Sequence, residues 1–351
     1  MGILNFNRLS SAIGVLGGLK SNAITIDDLK MLVACKSIEQ AYNHLCDKSV
    51  YIDRKAKTLD EMELSLANYY QILVEHLLRF LKNKEFDFLR INLLEKDLLI
   101  IKRFLRNIYY KREEKYINKE LGKFAYLKAT EISDISQILI SIQQPILRNL
   151  IKRIANKAEA FSQKLDHLDT SGENIEQIEM ELDRFFYQML WDAAQKFSQK
   201  IITFINYLIS YKMIHWFLIL KFYRKQSVNQ IYHTMIFTKF FTTDDFWRIA
   251  ELDDIKKIIE NIRDKPYSNI FKDNIANIDN IADFEKYLRL YLNTVIEDNK
   301  MSTSPFDFYN FVYFILKQRF IIADVKRILK AKQFGLSITD TKQNTIFLIS
   351  D

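Results

Sequence analysis

The segment closest to a catalytic motif lies near the amino terminus. Residues 14–21 read Gly-Val-Leu-Gly-Gly-Leu-Lys-Ser, which resembles the glycine-rich loop that holds nucleotide phosphates. That loop requires a glycine directly before its Lys-Ser pair, because the backbone amides there approach the phosphate. Leu19 stands at this position, and no strand pattern precedes the segment. The sequence therefore favours the start of a flexible helix over a nucleotide site.

Side chains that bind metals or act as nucleophiles are too scattered to define a site. Cys35, His44 and Cys46 are near one another in the sequence but lack the paired spacing of a zinc site. With only two cysteines there is no disulfide framework, and we expect both cysteines to lie on helices. The carboxylate pairs Glu113-Glu114 and Asp253-Asp254 stand among basic residues, which is typical of solvated helix faces. The sequence thus predicts no catalytic residue, no metal, no cofactor and no enzymatic activity.

Basic and aromatic residues interleave over residues 102–116, a pattern that suits the phosphates of a nucleic acid. A basic face that covers a packed apolar face has the same pattern. The whole chain has 51 Lys and Arg against 44 Asp and Glu, a net charge of +7, with an isoelectric point near 9.0. This modest excess suits a nucleic acid, a membrane surface or an acidic protein, and it selects none of them.

The low content of glycine and proline indicates long, uninterrupted helices. The 351 residues include 7 Gly and 3 Pro, which excludes collagen-like and proline-rich disordered chains and disfavours sandwiches and barrels. Apolar residues recur at the helical period over residues 61–82, 146–165 and 175–194. Ser304-Pro305 is expected to begin a helix over residues 306–317. Only residues 345–350 resemble a short strand, or else a tail, so the sequence predicts an all-α fold.

The most apolar stretch, residues 201–220, contains polar side chains such as Asn206 and Lys212. A membrane span needs about 20 predominantly apolar residues, so we expect a buried core helix here. No signal-peptide pattern begins the sequence, and Phe6 stands where a myristoylation motif has Ser or Thr. We therefore expect a cytosolic protein that meets a membrane through partners.

Three segments share one pattern of basic and apolar residues. Residues 101–106 (IKRFLR) and 325–330 (VKRILK) match in chemical type at all six positions. Residues 216–221 keep the apolar positions and the final Lys221, with Phe217 and Leu218 in place of the basic pair. The three segments begin roughly a third of the chain apart, which predicts three copies of one helical domain, at residues 1–120, 121–236 and 237–351.

The carboxyl-terminal residues resemble a known family. Residues 305–320, followed by Ile328-Leu329-Lys330-Ala331-Lys332 and Gly335-Leu336, are similar to the end of the C subunit of V-type (archaeal and bacterial A-type) ATPases. The eukaryotic d subunit belongs to the same family. Family members end with a helix, a basic-acidic elbow and a helix that carries this signature. The present chain departs at the elbow, where neither Gln318 nor Arg319 is acidic.

The resemblance implies three similar helical domains around a pseudo-threefold axis, forming a funnel. It also implies a non-catalytic socket of the central stalk, which couples the shaft subunits D and F to the membrane proteolipid ring during proton or sodium transport. Such a subunit is peripheral to the cytoplasmic face of the membrane and needs no small-molecule substrate or nucleic acid. The equivalent basic positions are the expected partner contacts: Lys102, Arg106, Lys221, Lys326 and Lys330. A helical-repeat scaffold or a nucleic-acid-binding protein is the alternative interpretation.

Overall fold

The computed structural model describes residues 2–109, 173–262, 277, 278, 280–299 and 304–349. No strand occurs in these ranges, and the predicted all-α class is confirmed. A π-helical turn, Ile219–Tyr223, directly follows the helix Gln199–Leu218. The helices are α1 (Gly2–Ser21), α2 (Ile26–Ala34), α3 (Ile38–Lys48), α4 (Leu59–Leu78), α5 (Asn83–Tyr109), α6 (Glu173–Ala194), α7 (Gln199–Leu218), α8 (Val228–Thr234), α9 (Thr243–Ala250), α10 (Ile255–Asn261), α11 (Ile281–Asp298), α12 (Tyr309–Gln333) and α13 (Ile338–Gln343).

The chain divides into two compact units, residues 1–90 with 191–351, and residues 91–190. In the first unit the 25-residue helix α12 packs against α2, α3, α4 and α7, and α7 packs against α11. The side chains of α12 that form this core are almost all apolar, including Phe311, Ile315, Val325, Ile328 and Leu329. The carboxyl-terminal helix is therefore the element around which the amino-terminal helices of this unit are arranged.

Capping side chains fix where several helices of the first unit begin. Thr25, Thr58, Ser227 and Thr242 each accept a hydrogen bond from the backbone amide three residues later. The side chain of that third residue in turn accepts a hydrogen bond from the amide of the cap. Each cap stabilises its helix by about 1 kcal/mol, because it satisfies amides that the helix itself leaves unpaired.

The described part of the second unit consists of the carboxyl-terminal portion of α5 and the amino-terminal portion of α6. Leu93 and Leu98 of α5 are buried, as are Leu182 and Phe186 of α6. The helix predicted over residues 146–165 and the predicted domain boundary at residue 120 lie outside the described residues. The division into three domains and the pseudo-threefold axis stay predictions.

Helices α6 and α7 confirm the helical pattern of residues 175–194 and 201–220, and α4 confirms that of residues 61–82 as far as Leu78. The helical span Gln199–Tyr223 is long and apolar enough to cross a membrane. An 18-residue window within it has a mean hydropathy of 1.2, but 67% of that window is buried inside the protein. The core helix of a soluble protein passes the same test of length and composition. The burial supports the prediction of a core helix.

The glycine-rich segment of residues 14–21 forms the last turns of α1, not the start of a helix. The helix extends upstream to Gly2, and Ser21 Oγ donates a hydrogen bond to the carbonyl of Gly18 at its end. Of the two cysteines, Cys46 lies on α3 as predicted, whereas Cys35 is the residue that ends α2.

Two predictions for the region around α12 are wrong. Ser304-Pro305 does not begin a helix, because residues 304–308 form turns and Asp307 Oδ1 accepts a hydrogen bond from the Tyr309 amide at 2.9 Å. No elbow interrupts the helix that follows, which continues from Tyr309 to Gln333. This stretch contains no glycine or proline, so nothing in the backbone requires a break.

The strand-like pattern of residues 345–350 also has a different structure. Its described part, residues 345–349, forms bends and a turn, and Ile346, Phe347 and Leu348 are buried. The amides of Ile346 and Phe347 donate to a carboxylate of α12 instead of to a neighbouring strand. The consecutive apolar residues Ile346, Phe347 and Leu348 therefore cover the core as an irregular segment.

Candidate functional site: the end of helix α12

Two of the predicted contact residues form ion pairs or hydrogen bonds within the protein. Lys102 on α5 is largely buried, and its Nζ lies 2.5 Å from Asp183 Oδ1 of α6. Lys221 lies in the π turn, where its Nζ donates to the carbonyl of Ala250 at 2.5 Å and lies 3.3 Å from Asp253 Oδ1. Both ammonium groups therefore stabilise contacts within the chain.

The other predicted contact residues lie on α5 and α12. The side chain of Arg106 is outside the described part of α5. Lys330 is exposed on α12, and its Nζ lies 2.9 Å from Glu63 Oε1. Lys326, one turn before it, is partly exposed. Contact with a partner stays a prediction for all five residues. Of the four whose side chains are described, Lys330 is exposed, and Lys102, Lys221 and Lys326 are partly exposed.

Asp324 anchors the carboxyl-terminal segment to α12. Its carboxylate is fully buried and accepts hydrogen bonds from the amides of Ile346, at 2.8 Å to Oδ2, and Phe347, at 2.9 Å. Arg327 Nη1 donates to the same carboxylate at 2.6 Å. Burial raises the pKa of Asp324, while the charge of Arg327 and the two amides oppose that shift. The four groups hold the last described residues against the helix.

Two polar side chains of α12 hold the two ends of α2. Gln318 Nε2 donates to the carbonyl of Ile24, directly before α2, at 3.0 Å. Lys332 Nζ donates to the carbonyl of Val33 at 3.1 Å and to that of Cys35, at the end of α2. A cation at a helix carboxyl terminus pairs with carbonyls that the helix leaves free and with its dipole. Lys332, part of the family-like signature, and Gln318, where the chain departs from the family pattern, thus both have a structural role here.

A tight turn around Gly335 ends α12. Gly335 has φ +67°, the Leu336 amide donates to the Ala331 carbonyl at 2.9 Å, and the Gly335 amide donates to the Lys332 carbonyl at 3.2 Å. These bonds form a Schellman motif, in which glycine avoids the strain that a side chain has at positive φ. Ser337 then caps α13 by accepting from the Asp340 amide at 3.0 Å. The turn projects Phe334, Leu336 and Ile338 into solvent.

A second polar cluster joins α7 to α11. His215 Nε2 lies 3.4 Å from Glu285 Oε1, and Arg289 Nη1 lies 3.8 Å from Glu285 Oε2. The hydrogen bond with His215 lowers the pKa of Glu285, and burial opposes this shift. Arg289 also donates to the carbonyl of Gln343 at 3.4 Å. The cluster ties α7, α11 and the end of α13 together.

The residues considered for zinc have other partners. His44 Nε2 lies 3.2 Å from Asp28 Oδ1, the residue that completes the cap of α2. Within the described ranges, no three His, Cys, Asp or Glu side chains are grouped so that they could hold a metal ion.

Comparison with known proteins assigns the chain to a class, the subunits of rotary ATP synthases. A family model described as the ATP synthase (C/AC39) subunit matches residues 12–344. The chain belongs to this family, which corresponds to the C subunit of V-type ATPases and the related d subunit. The resemblance seen in the carboxyl-terminal residues is thereby confirmed. A search of the curated proteins finds no match.

Proposed function

We propose that this chain is the central-stalk socket of a V/A-type ATPase or ATP synthase. In this role it has no active site of its own and couples the shaft subunits D and F to the proteolipid ring during proton or sodium transport. The observation that carries the proposal is the family match over residues 12–344. The protein then lies on the cytoplasmic face of the membrane, with three helical domains arranged as a funnel.

The packing of the first unit is consistent with a part that transmits torque. A coupling protein must resist deformation, and close-packed interiors have low compressibility. Helix α12 is held to α2 at both ends by Gln318 and Lys332 and to the carboxyl-terminal segment by Asp324. These contacts join distant parts of the sequence into one body, so a force on α12 is passed to the amino-terminal helices.

The proposal is tested by recovering the chain with its partners. An affinity-tagged copy is expressed at its native level, membranes are solubilised in mild detergent, and the bound proteins are identified by mass spectrometry. We expect the shaft subunits D and F and the proteolipid, each absent from untagged cells. Recovery of no rotary ATPase subunit would contradict the proposal.

The same recovery tests the predicted contact residues. We expect Lys326→Gln with Lys330→Gln to lower the recovered shaft or ring subunits by about threefold to tenfold at moderate salt, because exposed charges at an interface act modestly and are screened. Lys55→Gln, at an exposed lysine before α4, is the matched control. Equal recovery with both variants would remove these two lysines from the contact, while leaving the family role intact.

A further inference from the structure

Large apolar side chains are exposed together at the turn that follows α12. Phe334 is 74% exposed, Leu336 47% and Ile338 58%. Met31, on the last turn of α2, is 56% exposed, and Lys332 holds that end of α2 against α12 two residues before Phe334. Single exposed apolar residues are ordinary on protein surfaces, whereas a cluster of them marks an interaction site. We call these four side chains the apolar tip.

Hydrogen bonds hold the backbone of the turn that carries most of the apolar tip. The backbone bonds around Gly335 fix the directions of Phe334 and Leu336, and the cap at Ser337 fixes the start of α13, where Ile338 lies. A preformed turn loses little conformational entropy when it binds. The free energy gained by its apolar contacts is therefore not offset by a cost of ordering the backbone.

Exposed lysines border the apolar tip. Lys30 and Lys36 flank the end of α2 and are exposed. Residues 325–339 contain four basic residues, Lys326, Arg327, Lys330 and Lys332, and no acidic one. The next acidic residue, Asp340, bonds to Ser337 Oγ at 2.6 Å. Arg327, Lys330 and Lys332 bond to groups within the chain, so Lys30 and Lys36 are the exposed charges that make this border complementary to a negatively charged surface.

We propose that the apolar tip inserts into the headgroup region of an anionic bilayer, with its lysines facing the lipid phosphates. Phe and Leu combined with Lys are the composition of segments that lie in the membrane interface, and each basic residue near an anionic surface adds to the attraction. Protein interfaces are also enriched in Phe and Met but are depleted in Lys, so the lysines beside the tip favour an anionic lipid surface. The lipid contact goes beyond the proposed docking on partner subunits and requires none of them.

The proposal is tested with the purified full-length chain and lipid vesicles alone. Binding is measured by co-sedimentation with vesicles of phosphatidylcholine and with vesicles that also contain about 30% phosphatidylglycerol, enough to give a negative surface. We expect binding to the anionic vesicles that weakens in high salt. Changing Phe334, Leu336 and Ile338 together to Ser lowers the partition coefficient by about tenfold or more, because each apolar group leaves the interface.

Two further variants separate the contributions of charge and apolar surface. Lys30→Gln with Lys36→Gln lowers binding to anionic vesicles by several-fold and leaves the residual binding to neutral vesicles unchanged. Val50→Ser with Tyr223→Ser changes two other exposed apolar residues and is the matched control. All the substituted apolar side chains are exposed, so we expect circular dichroism and thermal unfolding to show that every variant folds.

Either of two results overturns the lipid proposal. One is an absence of binding by the unchanged chain to anionic vesicles. The other is equal loss of binding by the triple serine variant and the control pair. If the triple variant keeps its vesicle behaviour but loses rotary subunits in the membrane pull-down, the tip contacts a protein instead of lipid. That outcome rejects the lipid contact while supporting the proposed function.

Discussion

At the scale of single residues, Asp324 shows how one buried charge positions a segment of the chain. Its carboxylate has three partners, the amides of Ile346 and Phe347 and the guanidinium of Arg327. A buried ion is costly when any partner is missing, because desolvation is then left without compensation. The position of the carboxyl-terminal segment therefore depends on the Asp324 carboxylate as well as on the segment's own buried apolar residues.

We predict that Asp324→Ala destabilises the protein by about 3–5 kcal/mol, since it leaves Arg327 and two buried amides without an acceptor. The free energy of unfolding is measured by urea denaturation followed by circular dichroism. The control is Asp47→Ala, which removes an exposed ion pair with Arg54 and is expected to cost less than about 1 kcal/mol. Similar losses for the two variants would contradict the anchoring role of Asp324.

Residue roles were predictable from the sequence only where the interaction is local. The capping residues follow a pattern of Ser or Thr with an acidic or amide residue three positions later, as at Thr25 and Asp28. The roles of Asp324 and Gln318 could not be predicted in this way. Gln318 bonds to Ile24 at the other end of the chain, and no spacing rule connects residues so far apart.

At the scale of elements, the end of α12 depends on the backbone freedom of Gly335. The residue sits at φ +67°, and a methyl group built there meets no atom within 4 Å. A substitution is therefore opposed by backbone strain and not by crowding. The sequence offers a hint of this role, because Gly335 is the only glycine after residue 172.

We predict that Gly335→Ala destabilises the protein by about 1 kcal/mol, as alanine is strained in the left-handed region. Gly18→Ala is the matched control. Gly18 lies within helix α1 with open space around its Cα, so alanine there is expected to stabilise by up to about 1 kcal/mol. The free energies of unfolding of the two variants and the unchanged chain are measured by urea denaturation, and we expect changes of opposite sign. A Gly335→Ala variant more stable than the unchanged chain would contradict the turn assignment.

Helical periodicity predicted the existence of helices better than their ends. Helices α4, α6 and α7 lie where apolar residues recur at the helical period. The predicted start of α12 was wrong because Pro305 lies in a turn, and the helix begins at Tyr309, whose amide donates to Asp307 Oδ1. The expected elbow is absent, and the helix is continuous from Tyr309 to Gln333. Gln318, at the position of the elbow, donates to the carbonyl of Ile24 from within this helix.

At the scale of the whole molecule, the carboxyl-terminal signature was enough to predict the family. The family model extends that resemblance to residues 12–344. The predicted partner contacts are less secure, because spacing along a helix does not show which charges are already paired within the chain. Lys102, Lys221 and Lys330 each lie beside an acidic side chain. The apolar tip could not be predicted, since exposure of Met31 beside Phe334 depends on how α2 packs against α12.

The central claim, that this chain couples ATP chemistry to ion transport, is tested most directly in membrane vesicles from cells that lack it. ATP hydrolysis and ATP-driven proton or sodium transport are measured on the same preparation, with and without the purified chain added back. We predict that transport is lost while the catalytic subunits retain hydrolysis, and that adding the chain restores transport. Full ATP-driven transport in its absence would contradict the account.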